Sequence, residues 1–516
     1  MADIVLINPK FEASFWGLEY ALDLLGVKAN LPVAALPLLA ALTPAEHRIE
    51  LIDENVEPID YGRCARADIV GVTGMSVQRF RMREIIAELK RRGCFVVVGG
   101  PWVTVQEDYF DPEADAIFVG EAEMTWPQFL SDWSAGRPTR RYEQLQRTDV
   151  TQLPVPRHDL LNMSDYAFGS VQFSRGCPFT CEFCDIIVTF GRKPRLKTSR
   201  QIIAELDSLW RRHRVTKVFI VDDNLIGNKK ETKAILRDLL AWQQQNSFPL
   251  LFFTQASIDL ADDPELLALM SAVNIRIVFV GVETPNEASL RETKKLQNLR
   301  AGGSLVEKIH RIQAAGLEVW SGQIIGFDHD GLDIFDRQVA FLQEARIITS
   351  MVGMLSAIPK TPLHTRLARE GRLDEADRPV NGTNVIPLQL DRDQLSQGYL
   401  RVMQTIYAPE AYFERVKQLY LQGPLGTLEH WPERSWLDAL RQNGTALMQA
   451  AFIVLRLETR VRDRALRRVY RTMIGEALRR HSPLLLHILA MKCAMHYHAI
   501  RLVRDMAASR MPVNTF

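Results

Sequence analysis

Cysteine is scarce in this chain. Six occur in 516 residues, and Cys64, Cys94 and Cys493 stand far from one another and from the rest. That usage excludes a disulfide framework and fits a reducing compartment. No run of about 18 or more uncharged apolar residues exists, so no membrane-spanning helix is expected. The start, MADIVLINPKF, lacks the basic region and apolar run of a signal peptide, which points to the cytoplasm. Internal repeats and low-complexity tracts are missing too. Charge of either sign barely prevails: 63 Lys+Arg against 62 Asp+Glu leave +1, which argues against a nucleic-acid partner. What is present is ordinary globular material, 47% hydrophobic and 24% charged. The length exceeds one core, so about two to four domains are expected.

Residues 1–135 alternate short apolar runs with helical patterns. IVLI (4–7), IELI (49–52), DIVGVT (68–73), FVVVGG (95–100) and DAIFVG (115–120) read as buried strands. Met82, Ile85, Ile86 and Leu89 form one helix face, and Gly93 stops that helix. The pattern predicts a doubly wound, Rossmann-like α/β domain with a parallel sheet. Ligands of such sheets sit beyond the carboxyl ends of the strands. The loops there carry Thr73, Gly74, Met75 and Ser76, then Gly99, Gly100, Pro101 and Trp102, then Gly120 and Glu121. Their small residues let the backbone approach a bulky ligand, although glycines also end strands in any such sheet.

Residues 136–167 carry Gly136, Pro138, Pro154 and Pro156 without periodicity and read as a surface linker. A second βα series fills 168–358, with strands SVQFS (170–174), KVFIV (217–221), LLFFTQ (250–255), RIVFVGV (276–282), LEVWSGQIIGF (317–327) and SMVGMLSAI (350–358). After PKTPL (359–363), residues 359–516 are mostly helical. Arginine dominates this tail through Arg456, Arg460, Arg462, Arg464, Arg467, Arg468, Arg471, Arg479 and Arg480. The apolar run PLLLHILAM (483–491) follows. Such a tail either lies on anionic lipid, with Leu484, Leu485, Leu486, Ile488 and Leu489 inserted, or forms a solvated cap. The histidines are dispersed; His329 and His364 fall near strand ends of the second series, where they either touch substrate or, as lone histidines more often are, stand as packed or surface residues.

The chemistry concentrates in SRGCPFTCEFCDI, directly after the first strand of the second series. Cys177, Cys181 and Cys184 have the spacing C-x3-C-x2-C. Thiolates hold iron–sulfur clusters or zinc. Three of them with no fourth nearby leave one iron of a four-iron cluster open to a reactant. A structural zinc site wants four closed ligands, and Asp185 would strain to supply the fourth beside Cys184.

This spacing, with aromatic Phe183 before the last cysteine, resembles the radical S-adenosylmethionine (SAM) enzymes. The resemblance implies a [4Fe-4S] cluster on the three cysteines, SAM on the open iron, and a partial (β/α)6 barrel. It implies SAM contacts from Phe183, from Asp223 or Asn224 in VDDNL, and from Gln255 and Ser257 after the third strand. It adds Glu283 after the fourth, which also reads as a rim salt bridge, and Ile324 and Gly326 in GQIIGF beside the adenine. The loops of residues 1–135 resemble the cobalamin-binding domain found in front of many radical SAM domains, which makes Thr73, Gly74, Met75, Ser76, Gly99, Gly100, Pro101, Trp102, Gly120 and Glu121 the implied contacts. The D-x-H-x-x-G motif of methionine-synthase-like cobalamin domains is missing. Asp53, Glu54 and Asn55 stand in its place, which implies cobalamin without a histidine on cobalt.

The whole chain resembles the cobalamin-dependent radical SAM methylases. Its start, INPKFEASFWGLEYAL, and its basic helical tail resemble the hopanoid C-2 methylase branch. That resemblance implies methylation of an unactivated carbon of a pentacyclic triterpenoid lipid. One SAM would methylate the cobalamin, and a second would supply a deoxyadenosyl radical. An electron donor such as a flavodoxin or ferredoxin, and a peripheral membrane surface, follow as partners. Other relatives methylate or cyclise tetrapyrroles or natural products.

Overall fold

A computed structural model describes residues 1–509 except 428, 433 and 434, together with all side chains in that range but that of Val380. The end of the expected helical region, 510–516, lies outside the described residues. Packing divides the chain into two units, one of 1–12, 31–227 and 358–365, the other of 13–30, 228–357 and 366–516.

The first unit is built on a six-stranded parallel sheet. Its strands are β1 (Asp3–Asn8), β2 (Arg48–Asp53), β3 (Ile69–Thr73), β4 (Val96–Gly99), β5 (Ala116–Val119) and β6 (Arg141–Glu143), in the order β2-β1-β3-β4-β5-β6. The aliphatic runs are buried on both faces, as parallel sheets require. Helix α1 (Arg79–Arg91) covers one face with Met82, Ile85, Ile86 and Leu89, and the chain turns away at Gly93, φ +78°. The order reverses between β1 and β3, so the ligand crevice of this fold opens beside the loop that begins at Thr73.

The expected surface linker is anchored more deeply than its prolines suggest. Tyr142 on β6 stacks on Phe118 with centroids 5.4 Å apart, and this burial draws three residues into the sheet edge. Val150, Leu153, Met163 and Tyr166 are buried as well. The backbone there is satisfied by side chains instead of a ladder: Gln201 Nε2 donates to the carbonyls of Val150 and Leu153 at 3.2 and 3.0 Å.

The second series starts in the same unit. Strand β7 (Gly169–Val171) is followed by a two-residue antiparallel pair, β8 (Ser174–Arg175) and β9 (Arg195–Leu196), and β7 lies parallel to β10 (Lys217–Ile220). Helix α2 (Ser199–His213) begins with a capping box between Thr198 and Gln201. The second unit continues the βα order with β11 (Leu251–Ala256), β12 (Ile275–Glu283), β13 (Glu318–Ile325) and β14 (Ser350–Met354), each parallel to the next. This strand and helix succession is that of a partial (β/α)6 barrel, as expected.

Three long helices dominate the tail of the second unit: α3 (Trp436–Arg460), α4 (Arg464–Leu478) and α5 (Pro483–Ala507). One expectation about this region is corrected and another is narrowed. Leu485, Leu486 and Leu489 of the apolar run are buried, because α5 is the helix on which α3 and α4 pack. The run is core and not an inserting patch. Several of the arginines are also engaged: Arg456 and Arg460 pair with Asp23, and Arg471 with Glu458. None of the described helices is long and apolar enough to cross a membrane.

Residues 13–30 belong with these helices. Helix Glu19–Leu25 packs on α3 and α5, and His498 of α5 receives a hydrogen bond from Tyr20 N on Nδ1 at 3.3 Å while Nε2 lies 3.0 Å from Ser14 O. With Nδ1 accepting, Nε2 carries the hydrogen and the ring is neutral. Burial pushes its pKa down to about 4. An unfolded histidine titrates near about 6.5, so unfolding takes up a proton below that pH. The neutral ring's contribution is present above pH ~6.5 and is lost as pH falls toward ~4, of order 3 kcal/mol in total. His498→Gln is therefore expected to flatten the fall in melting temperature between pH 7 and 5. Parallel slopes for parent and variant would contradict this account.

Candidate active site

The cysteine loop hangs between β8 and β9, whose pairing of Ser174 with Leu196 and Arg175 with Arg195 closes its base. Gly176 opens the loop at φ +91°, and a Cβ there would lie 2.9 Å from the carbonyls of Gly191 and Lys193, so only glycine fits. Cys177 N donates to Gly191 O at 3.2 Å, and Cys184 N to Cys181 O at 3.2 Å. Cys181 is buried, Cys177 and Cys184 are half-buried, and none of the three is in a disulfide. Phe183 is half-buried between them. The donor set is three soft thiols on one short loop, which fits an iron–sulfur cluster.

The VDDN run after β10 braces this loop. Asp222 accepts from Phe173 N at 2.6 Å and Ser174 Oγ at 2.7 Å, and burial pushes its carboxyl up to about 6. Asp223 accepts from Gly176 N at 3.1 Å and is pushed up by burial to about 7. Asn224 Nδ2 reaches Cys177 Sγ at 3.8 Å. Asp222 thus secures the strand, while Asp223 and Asn224 touch the loop that carries the thiols.

A cavity of about 350 Å³ opens in the same unit. Thr73, Gly74, Met75, Gly99, Gly100, Pro101, Gly120 and Glu121 line it, together with Arg175 beside the cysteine loop. Ser76 and Trp102 lie outside it, and Trp102 packs edge-on against Tyr109 in the core. Glu121 lines the cavity, yet its carboxylate is held by Arg195 and by Thr148 N, the latter at 2.6 Å. Arg175 pairs with Glu123 at 2.6 Å. The cradle depends on missing side chains. A Cβ on Gly100, φ +98°, would lie 2.5 Å from Thr73 Oγ1 and 3.1 Å from Gly74 N. The mostly apolar lining and the open glycine loops fit a large cofactor such as cobalamin.

Sequence reasoning missed several lining residues. Gln78 is buried, accepts from Met75 N at 3.0 Å, and donates to Pro9 O at 2.6 Å and Asn8 Oδ1 at 3.1 Å, so it fixes the loop at the switch point. Lys197 and Glu205 form a buried ion pair at 2.5 Å in the cavity wall. His158 is buried there with Nδ1 unpartnered, and its burial together with His213 pushes its pKa down to about 4. Lys197 and Glu205 stand eight residues apart, a spacing that does not mark a pair in the sequence. His158 sits in the aperiodic PVPRHD stretch, which carries no signal.

The Asp53-Glu54-Asn55 triplet is fully employed. Asp53 accepts from Asn8 Nδ2 at 3.1 Å and Tyr166 OH at 2.9 Å, Asn55 accepts from Phe11 N at 3.0 Å, and Glu54 pairs with Arg81. These side chains tie strand ends together and do not line the cavity.

In the second unit the remaining expected SAM contacts lie at the ends of β11, β12 and β13. Glu283 takes φ +67°, rare for a side-chain-bearing residue, where the β12–β13 register breaks, and it pairs with Lys295 at 2.6 Å. The salt bridge is thus formed. Gln338 Nε2 donates to the carbonyls of Glu283 and Ile324, each at 3.2 Å, and joins the two strand ends. Gly326, φ +103°, donates its N–H to Asp330 at 3.0 Å and starts the turn after β13. Gln255 is half-buried on β11, and Ser257 donates to Asp259 at 2.5 Å. Among the described residues the buried Gln323 carboxamide has neither atom partnered, and Gln338 Oε1 is unpartnered too. Orphaned amides at these strand ends fit a ligand rich in donors and acceptors, such as SAM.

Beside them lies an aromatic cluster. Trp16 approaches Phe279 at 5.0 Å and Phe253 at 6.4 Å, and Phe253 approaches Trp320 at 4.9 Å. Phe253 is two residues from Gln255 on β11 and shares its face.

The chain resembles known proteins over most of its length. Residues 24–130 match the B12 binding domain, 171–341 the radical SAM superfamily, and 361–511 a domain of unknown function, DUF4070. An uncharacterized methyltransferase of Synechocystis sp. is 42% identical over 427 residues, 81% of this chain and 78% of its own length. The hopanoid C-2 methylase of Rhodopseudomonas palustris is 35% identical over 417 residues, 80% of this chain and 78% of its own. The cobalamin-dependent SAM radical enzyme OxsB, solved with aqua-cobalamin and SAM bound, matches with a TM-score of 0.61 at 15% identity, over 99% of this chain and 80% of that one, and shows the same fold. Thiol loop, glycine cradle and aligned length converge: the chain belongs to the cobalamin-dependent radical SAM methyltransferases.

Proposed function

We propose that this enzyme adds a methyl group to an unactivated ring carbon of a pentacyclic triterpenoid, at the hopanoid C-2 position. The carrying observation is the 35% identity to a hopanoid C-2 methylase across four-fifths of the chain. The aromatic cluster of Trp16, Phe253, Phe279 and Trp320 supports it, since it offers an apolar floor to a hydrocarbon skeleton. When bound, the cluster with SAM supplies the radical that removes hydrogen, and cobalamin supplies the methyl group. The protein's own part is placement. Cys177, Cys181 and Cys184 hold the cluster. Asp223, Asn224, Phe183, Gln255, Ser257, Glu283, Ile324 and Gly326 position SAM. The loops at Thr73–Met75, Gly99–Pro101 and Gly120–Glu121 would hold cobalamin, and the Asp53-Glu54-Asn55 triplet would offer its cobalt no histidine. The enzyme works in the cytoplasm, takes electrons from a flavodoxin or ferredoxin, and meets its substrate at a membrane surface. Lipid profiling of a deletion strain tests the substrate: C-2-methylated hopanoids should disappear and return on complementation. An unchanged hopanoid profile would overturn the assignment.

A further inference from the structure

Helix α3 carries a second apolar face that no described residue of the second unit covers. Its buried side is Ala446, Ala450, Ile453 and Leu457, which packs on α5. Trp436, Leu437, Leu440, Leu447, Met448 and Leu455 are 47% to 73% exposed. At about 100° per residue they fall within an arc of roughly 120°, turned away from the buried side. Lone exposed leucines are ordinary, but six along one face of one helix are a surface. The helix is about 37 Å long at 1.5 Å per residue, so the stripe runs far along the molecule.

Charge indicates what covers it. Glu458 falls on the same arc at the far end of the stripe, and Arg471 holds its carboxylate while Arg467 donates to its carbonyl at 3.0 Å. Both arginines belong to α4, so the arginine face of α4 begins where the apolar stripe ends. Arg464 and Arg468 lie on that face, are exposed, and pair with no carboxylate among the described residues. An apolar stripe that ends in uncompensated arginines, with an indole at its start, has the make-up of a helix lying in a lipid interface. A groove in a protein partner would supply acids for those arginines only by a specific match. Anionic headgroups supply them everywhere.

We propose that α3 docks the enzyme on an anionic phospholipid surface, with its stripe inserted among the acyl chains and the α4 arginines on the headgroups. The inference rests on the reading of a membrane-borne substrate and names the element that meets the membrane. It replaces the run 483–491, which is core.

The test uses the full chain with cluster and cobalamin. The parent should sediment with vesicles of phosphatidylglycerol and phosphatidylcholine, and less at high salt. The triple variant Trp436→Ser, Leu440→Ser, Leu447→Ser should bind at least tenfold more weakly. All three residues are exposed, so its melting temperature and its deoxyadenosine formation from SAM in solution should match the parent's. Equal vesicle binding by the variant, or no binding by the parent, overturns the proposal. So does a parent dimer in ultracentrifugation that the variant converts to monomer without any vesicle binding, since a second copy would then cover the stripe. The substrate reading fails separately. A parent that binds vesicles yet methylates no detergent-dispersed triterpenoid keeps the docking surface and loses the substrate. A parent that methylates it but ignores vesicles does the reverse.

Discussion

Alanine at Cys177, Cys181 or Cys184 is expected to abolish deoxyadenosine formation from SAM, a drop of at least about 10³-fold, or ~4 kcal/mol of lost transition-state stabilisation. The three thiols share one loop between β8 and β9, and no other cysteine lies on it. A three-thiolate site that loses one ligand has no substitute. The remaining cysteines are the internal control. Cys64, Cys94 and Cys493 are buried, and burial pushes each thiol's pKa up, that of Cys64 to about 11. Such thiols stay protonated and do not ligate metal. Their replacement by serine or alanine should change stability and leave SAM cleavage intact. Iron content and the visible absorption of the reconstituted protein give a second readout. Cleavage at the parent's rate in any of the three loop variants would overturn the assignment of the cluster.

The next largest effect belongs to the cofactor cradle. Gly100→Val is expected to weaken cobalamin binding by about 100-fold, ~3 kcal/mol. The position needs a positive φ, and the first atom of any side chain would enter the space of Thr73 Oγ1 and the Gly74 backbone. The loop at the switch point must then move, and it is the loop that Gln78 fixes through Met75 N. Gly93→Ala is the matching control. It has the same sign of φ, at +78°, but nothing within 4 Å of the new Cβ. It should cost about 1 kcal/mol of stability and leave cobalamin binding alone. Titration followed by visible absorption separates the two. Parent-like affinity in Gly100→Val would show that the cofactor does not use this crevice.

How much was legible beforehand follows from what each feature depends on. The strands β1 to β5 and β10 to β14 were readable because buried parallel strands are short aliphatic runs between turn residues. The cysteine motif was readable because its chemistry is local. Strand β6 was not, since Arg141-Tyr142-Glu143 buries one side chain and its reason for pairing is Phe118, far off in sequence. Likewise, Asp53 and Asn55 mark a departure from a histidine motif in the sequence, but their tie to Asn8, Phe11 and Tyr166 needs the fold. The tail misled for a related reason. Periodicity finds apolar faces without saying which one is covered, so PLLLHILAM looked available and is core, while α3 carries apolar residues on two sides and exposes one. The join of residues 13–30 to the C-terminal helices is likewise a long-range event, made by Tyr20 and Ser14 meeting His498 and by Asp23 meeting Arg456 and Arg460.

The most direct test of the central claim follows the methyl group. The anaerobically reconstituted protein, with cluster and cobalamin, is given a reductant, a pentacyclic triterpenoid and SAM labelled with deuterium in its methyl group. The account predicts a product that gains one fully deuterated methyl group on carbon, with deoxyadenosine formed alongside it, and neither transfer in protein lacking cobalamin nor cleavage in Cys181→Ala. Methyl transfer that persists without cobalamin, or deoxyadenosine with no methylated product from any lipid or tetrapyrrole acceptor offered, would contradict it.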